Sequence, residues 1–175
     1  MRILCTVDGS EHSQWGVQAL GALASRRPED VVLIHIVDES AFQSAKNKNS
    51  VAVKRALAAM EKAGTILLRD TERAARLALG QSATGPRTTF QKILAHGPVA
   101  HTIAKTARRL KTDLILMGSR GLSDIQGFLL GSVSRQVAAT ASCPLLVVKQ
   151  PLPQLLHVAL AVDDPLPHPR TGIVQ

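Results

Sequence analysis

Five short runs of apolar and β-branched residues, 2–7, 31–37, 88–94, 114–117 and Leu145–Val148, recur along the chain with longer helical patterns between them. Runs of this length without polar alternation suit strands covered on both faces, as in a parallel sheet. In the intervals, residues 13–25 carry Trp15, Val17, Leu20 and Leu23, with Ser10 placed as the N-cap. Residues 51–79 repeat Val53, Leu57, Met60, Leu67 and Ala74 near helical spacing. The stretch HGPVAHTIAKTARRL, from His96, has proline at an early helical position. This alternation predicts an α/β fold built on a parallel sheet.

Ligands of such sheets sit outside the carboxyl ends of the strands, where the winding direction reverses. Three of the turns there are polar or glycine-containing and open the next helix: TVDGSEHS, HGPVA and MGSRG. With the first and fourth strands as neighbours, Asp8 and Gly118 face one crevice.

The stretch after the fourth strand, MGSRGLSDIQGFLLGSVS, places Gly118, Gly121 and Gly131 with two and then nine residues between them, and Ser132 after the last. Glycine serves either a turn with positive φ or a close approach of backbone to a neighbour or ligand. The last glycine opens a helix over Ser132–Thr140, whose exposed amides and dipole suit an anion. Ser132 and Ser134 add hydroxyls, and Arg120 or Arg135 adds charge. The lysine of a G-x-x-x-x-G-K-[ST] loop is missing and no G-x-G-x-x-G fingerprint occurs, so neither a P-loop enzyme nor a dinucleotide dehydrogenase is supported.

Composition removes further classes. The 175 residues, 45% hydrophobic, fit one domain with a real core. The opening MRILCTVDGSE reaches Asp8 and Glu11 too early for a signal-peptide apolar region, and no run of about 18 apolar residues exists for a membrane span. A soluble, cytoplasmic protein is expected. Cys5 and Cys143 form no metal-ligand spacing and read as reduced, buried small residues. The net charge of +8 raises a polyanion partner. The bases fall at spacings that suit solvated helix faces, however, and with 2% aromatic residues and no tyrosine the stacking platforms of nucleic-acid readers are absent.

The motif Gly118-x2-Gly121-x9-Gly131-Ser132, with VDGS after the first strand and CPLLVVK closing the domain, resembles the nucleotide-binding branch of the universal stress proteins over residues 1–149. The resemblance implies an open parallel five-stranded sheet in order 3-2-1-4-5 with helices on both faces, an ATP-binding crevice, and a homodimer formed through the edge strand Leu145–Val148. It implies that Thr6, Val7 and Asp8 lie at the adenine and ribose end, with Val37 offering its backbone to adenine. Met117, Gly118, Arg120 and Gly121 would line the ribose and phosphate side. Gly131, Ser132, Val133 and Ser134 would cradle the phosphates. ATP or another adenine nucleotide is the implied cofactor, with magnesium held through the nucleotide near Asp8 and no metal site formed by protein alone.

The residues keep alternatives open. Asp8 in DGS also suits a helix cap, and the glycines also suit turns in a loop that binds nothing. His96 and His101 have no carboxylate or cysteine placed for metal or catalysis and read as surface or capping side chains. Ser10 and His12 lack a G-x-S-x-G elbow. No residue is placed as a general base, so the expectation is a dimeric regulatory module with at most slow ATP hydrolysis. Its rival is a nucleotide-free protein-interaction module of the same fold.

The tail repeats the beginning. HVALAVDDPLPHPRTGIV matches RILCTVDGSEHSQWGVQ, with Asp163 at the place of Asp8 and, after one inserted residue, Gly172 at that of Gly16. Residues 150–154 therefore read as a proline-containing linker, and the C-terminal extension 155–175 as the truncated start of a second stress-protein repeat. That copy stops before any glycine loop of its own, so it is expected to hold no nucleotide.

Overall fold

The computed structural model describes residues 1–26, 30–43, 50–80, 88–121 and 130–151. In chain order these form β1 (Arg2–Thr6), α1 (Glu11–Ala19), a 3-10 segment (Leu20–Arg26), β2 (Asp30–Val37), α2 (Ser40–Gln43) and α3 (Val51–Ala78). There follow β3 (Thr89–His96), α4 (Val99–Leu110), β4 (Leu114–Gly118), α5 (Ser132–Thr140) and β5 (Leu145–Val148). The strands make one five-stranded sheet in order β3-β2-β1-β4-β5, every pair parallel, which is the expected fold. From residue 152 on, the expected linker and second repeat lie outside the described residues.

The unbroken apolar character of β1 follows from its central place. Cys5 stands between Leu33 and Leu116, and Leu4 between Val32 and Ile115. Successive side chains point to opposite faces. Ile3 and Cys5 join Val17, Leu20 and Leu68 in one core, while Leu4 joins Ala100, Ile103 and Val137 in the other. Helices thus cover both faces: α1 and α3 on one, α4 and α5 on the other. Each fully buried leucine or isoleucine contributes about 1.5–3 kcal/mol.

Two stretches depart from the sequence reading. The run 88–94 reads as a buried strand, yet β3 is one of the two edge strands, with Gln91 and Lys92 exposed. It is held from one side by α3, where Lys92 pairs with Glu72 and Arg76 lies 4.4 Å over the Phe90 ring. The helix expected over 13–25 is α-helical only to Ala19. Just beyond, a Cβ on Gly21 would meet the Ala78 carbonyl oxygen at 2.6 Å, so the 3-10 segment runs tight against the end of α3.

Helix α3 has two unlike halves. Its buried residues are Gly64, Leu68, Thr71 and Ala75, spaced as one stripe, and none precedes residue 64. At Gly64 the helix presses on β2, where a Cβ would fall 2.5 Å from His35 Cδ2. At the opposite end of the sheet from the glycine motif, Arg2 ties the strand starts together. Its guanidinium reaches Asp30 Oδ2 at 2.9 Å and the Leu110 carbonyl at 2.6 Å, and Thr89 donates to the same carboxylate.

Candidate functional site

The turn after β1 is shaped by Gly9, at φ +85. Within it Asp8 Oδ1 accepts from the Ser10 amide at 2.9 Å and from the Ser10 hydroxyl at 2.6 Å. Ser10 Oγ in turn accepts from the Ser13 amide at 3.2 Å, so Ser10 is the N-cap of α1 and Asp8 is its buttress. The other oxygen, Oδ2, faces the loop after β4: a Cβ on Gly121 would lie 2.8 Å from it. Val7 is tied on one side, its amide donating to Ile34 O at 2.9 Å and its carbonyl accepting from His35 Nδ1 at 2.7 Å.

Helix α1 lies against the end of β4 through glycine. A Cβ on Gly118 would meet the His12 carbonyl carbon at 2.5 Å, and one on Gly16 would sit 3.5 Å from the Gly118 amide nitrogen. None of the three motif glycines has a positive φ, and Gly131, at φ −68 and ψ 167, is extended backbone. Of the two uses of glycine, Gly118 and Gly121 serve close approach, and the groups approached belong to the protein itself.

The chain re-enters at α5 beside the strand it left. The Gly131 amide donates to Ser119 O at 2.7 Å, and Ser134 Oγ lies 3.0 Å from both Ser119 O and Gly131 O. Ser134 is therefore buried and ties the helix start to the residue after β4, while Ser132 is exposed and Val133 packs partly into the α4–α5 core. Gly131 offers no side chain to cap α5, so among the described residues the first-turn amides have no side-chain cap.

Thr6, Val7, Asp8, Met117, Gly118, Arg120, Gly121 and Gly131–Ser134 are thus brought to the carboxyl ends of the neighbouring strands β1 and β4. Val37 ends β2 beside them, but its carbonyl accepts from the Gly97 amide at 3.2 Å, so its peptide groups face β3. By alternation along a strand, those of Ile36 face the β1 side, past the last residue of β1. Reading the residues missed Ser119. It is fully buried, and its hydroxyl is the one buried side-chain polar atom without a partner among the described residues. The signal was a hydroxyl directly behind Gly118. Among the described residues no group of three or more His, Cys, Asp or Glu is arranged to hold a metal ion. No helix among them is long and apolar enough to cross a membrane.

A model of the universal stress protein family matches residues 1–149. A universal stress protein of Thermus aquaticus is 32% identical over 148 residues, covering 84% of this chain and 97% of its own. One of Bacillus subtilis, YxiE, is 28% identical over 153 residues, covering 85% and 98%. Among solved structures, UspA of Lactobacillus plantarum superposes with a TM-score of 0.67 at 23% identity, covering 85% of this chain and 97% of its own. A universal stress protein in complex with cAMP superposes at 0.56 and 23% identity, covering 85% and 96%. One from Archaeoglobus fulgidus in complex with dAMP superposes at 0.56 and 16% identity, covering 85% and 98%. The chain belongs to the universal stress protein family.

Proposed function

We propose that the chain binds an adenine nucleotide, ATP foremost, in the crevice at the carboxyl ends of β1 and β4, and acts as a homodimeric regulatory module rather than a fast enzyme. The observation that carries this reading is the start of α5, where a helix of nine residues begins with no side-chain cap among the described residues, its Gly131 amide on Ser119 O and the next carbonyl, Arg120 O, accepting from Ser10 of the Asp8 turn. Uncapped first-turn amides are a ready site for phosphate. The Ser119 hydroxyl, without a partner among the described residues, supports it as a buried polar group at the same turn that a ligand or water would satisfy. Relatives of this fold that hold cAMP and dAMP support the adenine moiety.

In this reading Gly131, Ser132, Val133 and Ser134 supply the phosphate cradle. Met117, Gly118, Arg120 and Gly121 flank the ribose and phosphates, and Thr6, Val7 and Asp8 close the β1 side. The adenine edge meets β2 near Val37, with Ile36 as the residue whose peptide groups face that side. Magnesium would enter with the phosphates near Asp8. The edge strand Leu145–Val148 pairs two copies, since an open apolar edge invites its twin. Residues 155–175, as the start of a second repeat, add no second nucleotide site.

Calorimetry with ATP, followed in parallel by the fluorescence of the single tryptophan, Trp15, tests the site. Ser132→Glu separates binding from folding, because an acid in the first turn favours the helix dipole but repels phosphate. The expected result is one ATP per chain, at least about tenfold weaker in the variant, with an unchanged or raised melting midpoint. No heat with the unmodified chain, or equal affinity in the variant, rejects the reading. A concentration-independent monomer mass by light scattering rejects the dimer.

A further inference from the structure

Helices α4 and α5 lie side by side on one face of the sheet, and between them runs an open groove of about 620 Å³. Its small residues are Ala100 and Ala104 from α4 and Ala139 from α5; its basic ones are His101, Lys105 and Arg108, all from α4. The groove uses the carboxyl half of α5, away from the helix start discussed above. We propose that it docks an acidic amphipathic helix of a partner protein, a contact independent of the nucleotide reading.

Charge and shape carry the inference together. His101, Lys105 and Arg108 stand at i, i+4 and i+7, so they form one stripe along α4 with rises of about 6 and 4.5 Å. A second helix laid alongside presents carboxylates at the same intervals. All three side chains are exposed, and none makes a hydrogen bond or ion pair with any described residue. Neither helix contains an aspartate or glutamate that could neutralise the stripe from within. The alanines leave room for another backbone to come to the 8–10 Å separation, roughly, at which helices pack.

Other occupants fit less well. A second copy of this chain, packed symmetrically, would bring the Lys105 and Arg108 charges to the same place. A nucleic acid would use the stripe, but among the described residues the groove lining has no aromatic side chain on which a base could stack, and alanine methyls give a phosphate nothing.

The probe is a fluorescein-labelled stapled helix of about 14 residues, long enough to span α4, with glutamates at i, i+4 and i+7 and leucines along the adjacent edge. Anisotropy is measured with the full chain. Lys105→Glu with Arg108→Glu, and separately Ala139→Phe, are expected to weaken binding at least about tenfold at unchanged melting midpoint. Lys54→Glu with Lys62→Glu on α3 alters net charge equally and is expected to leave affinity unchanged. The proposal is overturned if the peptide does not bind, if the α3 pair weakens it equally, or if replacing its leucines by serine costs nothing. It is overturned in favour of a nucleic-acid site if a single-stranded oligonucleotide binds more tightly and loses affinity with the Lys105 and Arg108 reversals.

Discussion

Gly118 and His12 meet backbone to backbone: the Cβ that Gly118 lacks would lie 2.5 Å from the His12 carbonyl carbon and 2.7 Å from its oxygen. Backbone cannot swing aside as a side chain does, so Gly118→Ala must push α1 off β4. We expect a loss of about 3 kcal/mol or more, read as a lower denaturant midpoint. Gly121→Ala differs in kind, because among the described residues its Cβ would meet only the Asp8 carboxylate, at 2.8 Å. That variant should stay folded and lose ATP affinity. Equal midpoints for Gly118→Ala and the unmodified chain would contradict the packing argument.

Acid should loosen the sheet through two carboxylates. The Thr89 hydroxyl and the Arg2 guanidinium hold Asp30 below its ordinary value of 3.8, and Lys92 and Arg76 hold Glu72 below 4.5. Both folded-state values are depressed, so the stabilisation is fully present above the ordinary values and is lost as pH falls through the depressed ones. Both pairs are partly exposed and screened, so together they contribute about 1 kcal/mol at low salt. Asp30→Asn with Glu72→Gln should show a shallower loss of urea midpoint between neutral pH and about pH 3. An identical slope would remove these groups from the account.

The two cysteines should behave differently. Burial pushes the Cys5 thiol up to about 12, whereas Cys143 is half-buried, with its sulfur 3.6 Å from Thr112 Oγ1. A thiol reagent should count one reactive group in the native protein and two after denaturation. Two fast groups in the native state would show that β1 is not sealed.

Lys111, which follows α4, is the one non-glycine residue with positive φ among the described residues, at φ 51. The left-handed C-cap position favours glycine. Lys111→Gly should therefore stabilise the fold by about 0.5–1 kcal/mol, visible as a raised melting midpoint. A fall would mean that the lysine side chain holds α4 in place.

How much of this was legible in the sequence depends on the range of the interaction. The strand runs and the Ser10 cap were readable because their causes are local: side-chain pattern for the one, a hydroxyl three residues before an amide for the other. The joint placement of Asp8 and the glycine motif followed from strand neighbours. What the glycines touch did not, because His12 and Asp8 lie more than a hundred residues away along the chain. The inward turn of Ser134 and the commitment of Val37 to β3 arise from pairings made only once the sheet closes. The exposure of β3 had one local trace, the polar Gln91-Lys92 step.

Helix α3 is longer than the sheet it covers. At 28 residues it spans about 42 Å, against about 26 Å for the eight-residue strands β2 and β3. Only its carboxyl half, from Gly64 on, is clamped by the core. The helix therefore belongs to two cooperative units: a clamped half that unfolds with the sheet, and a leading half whose turns open at little cost in free energy. Its amides before residue 64 are expected to exchange with solvent faster than those after it, and a sequence change there to alter helix content more than global stability.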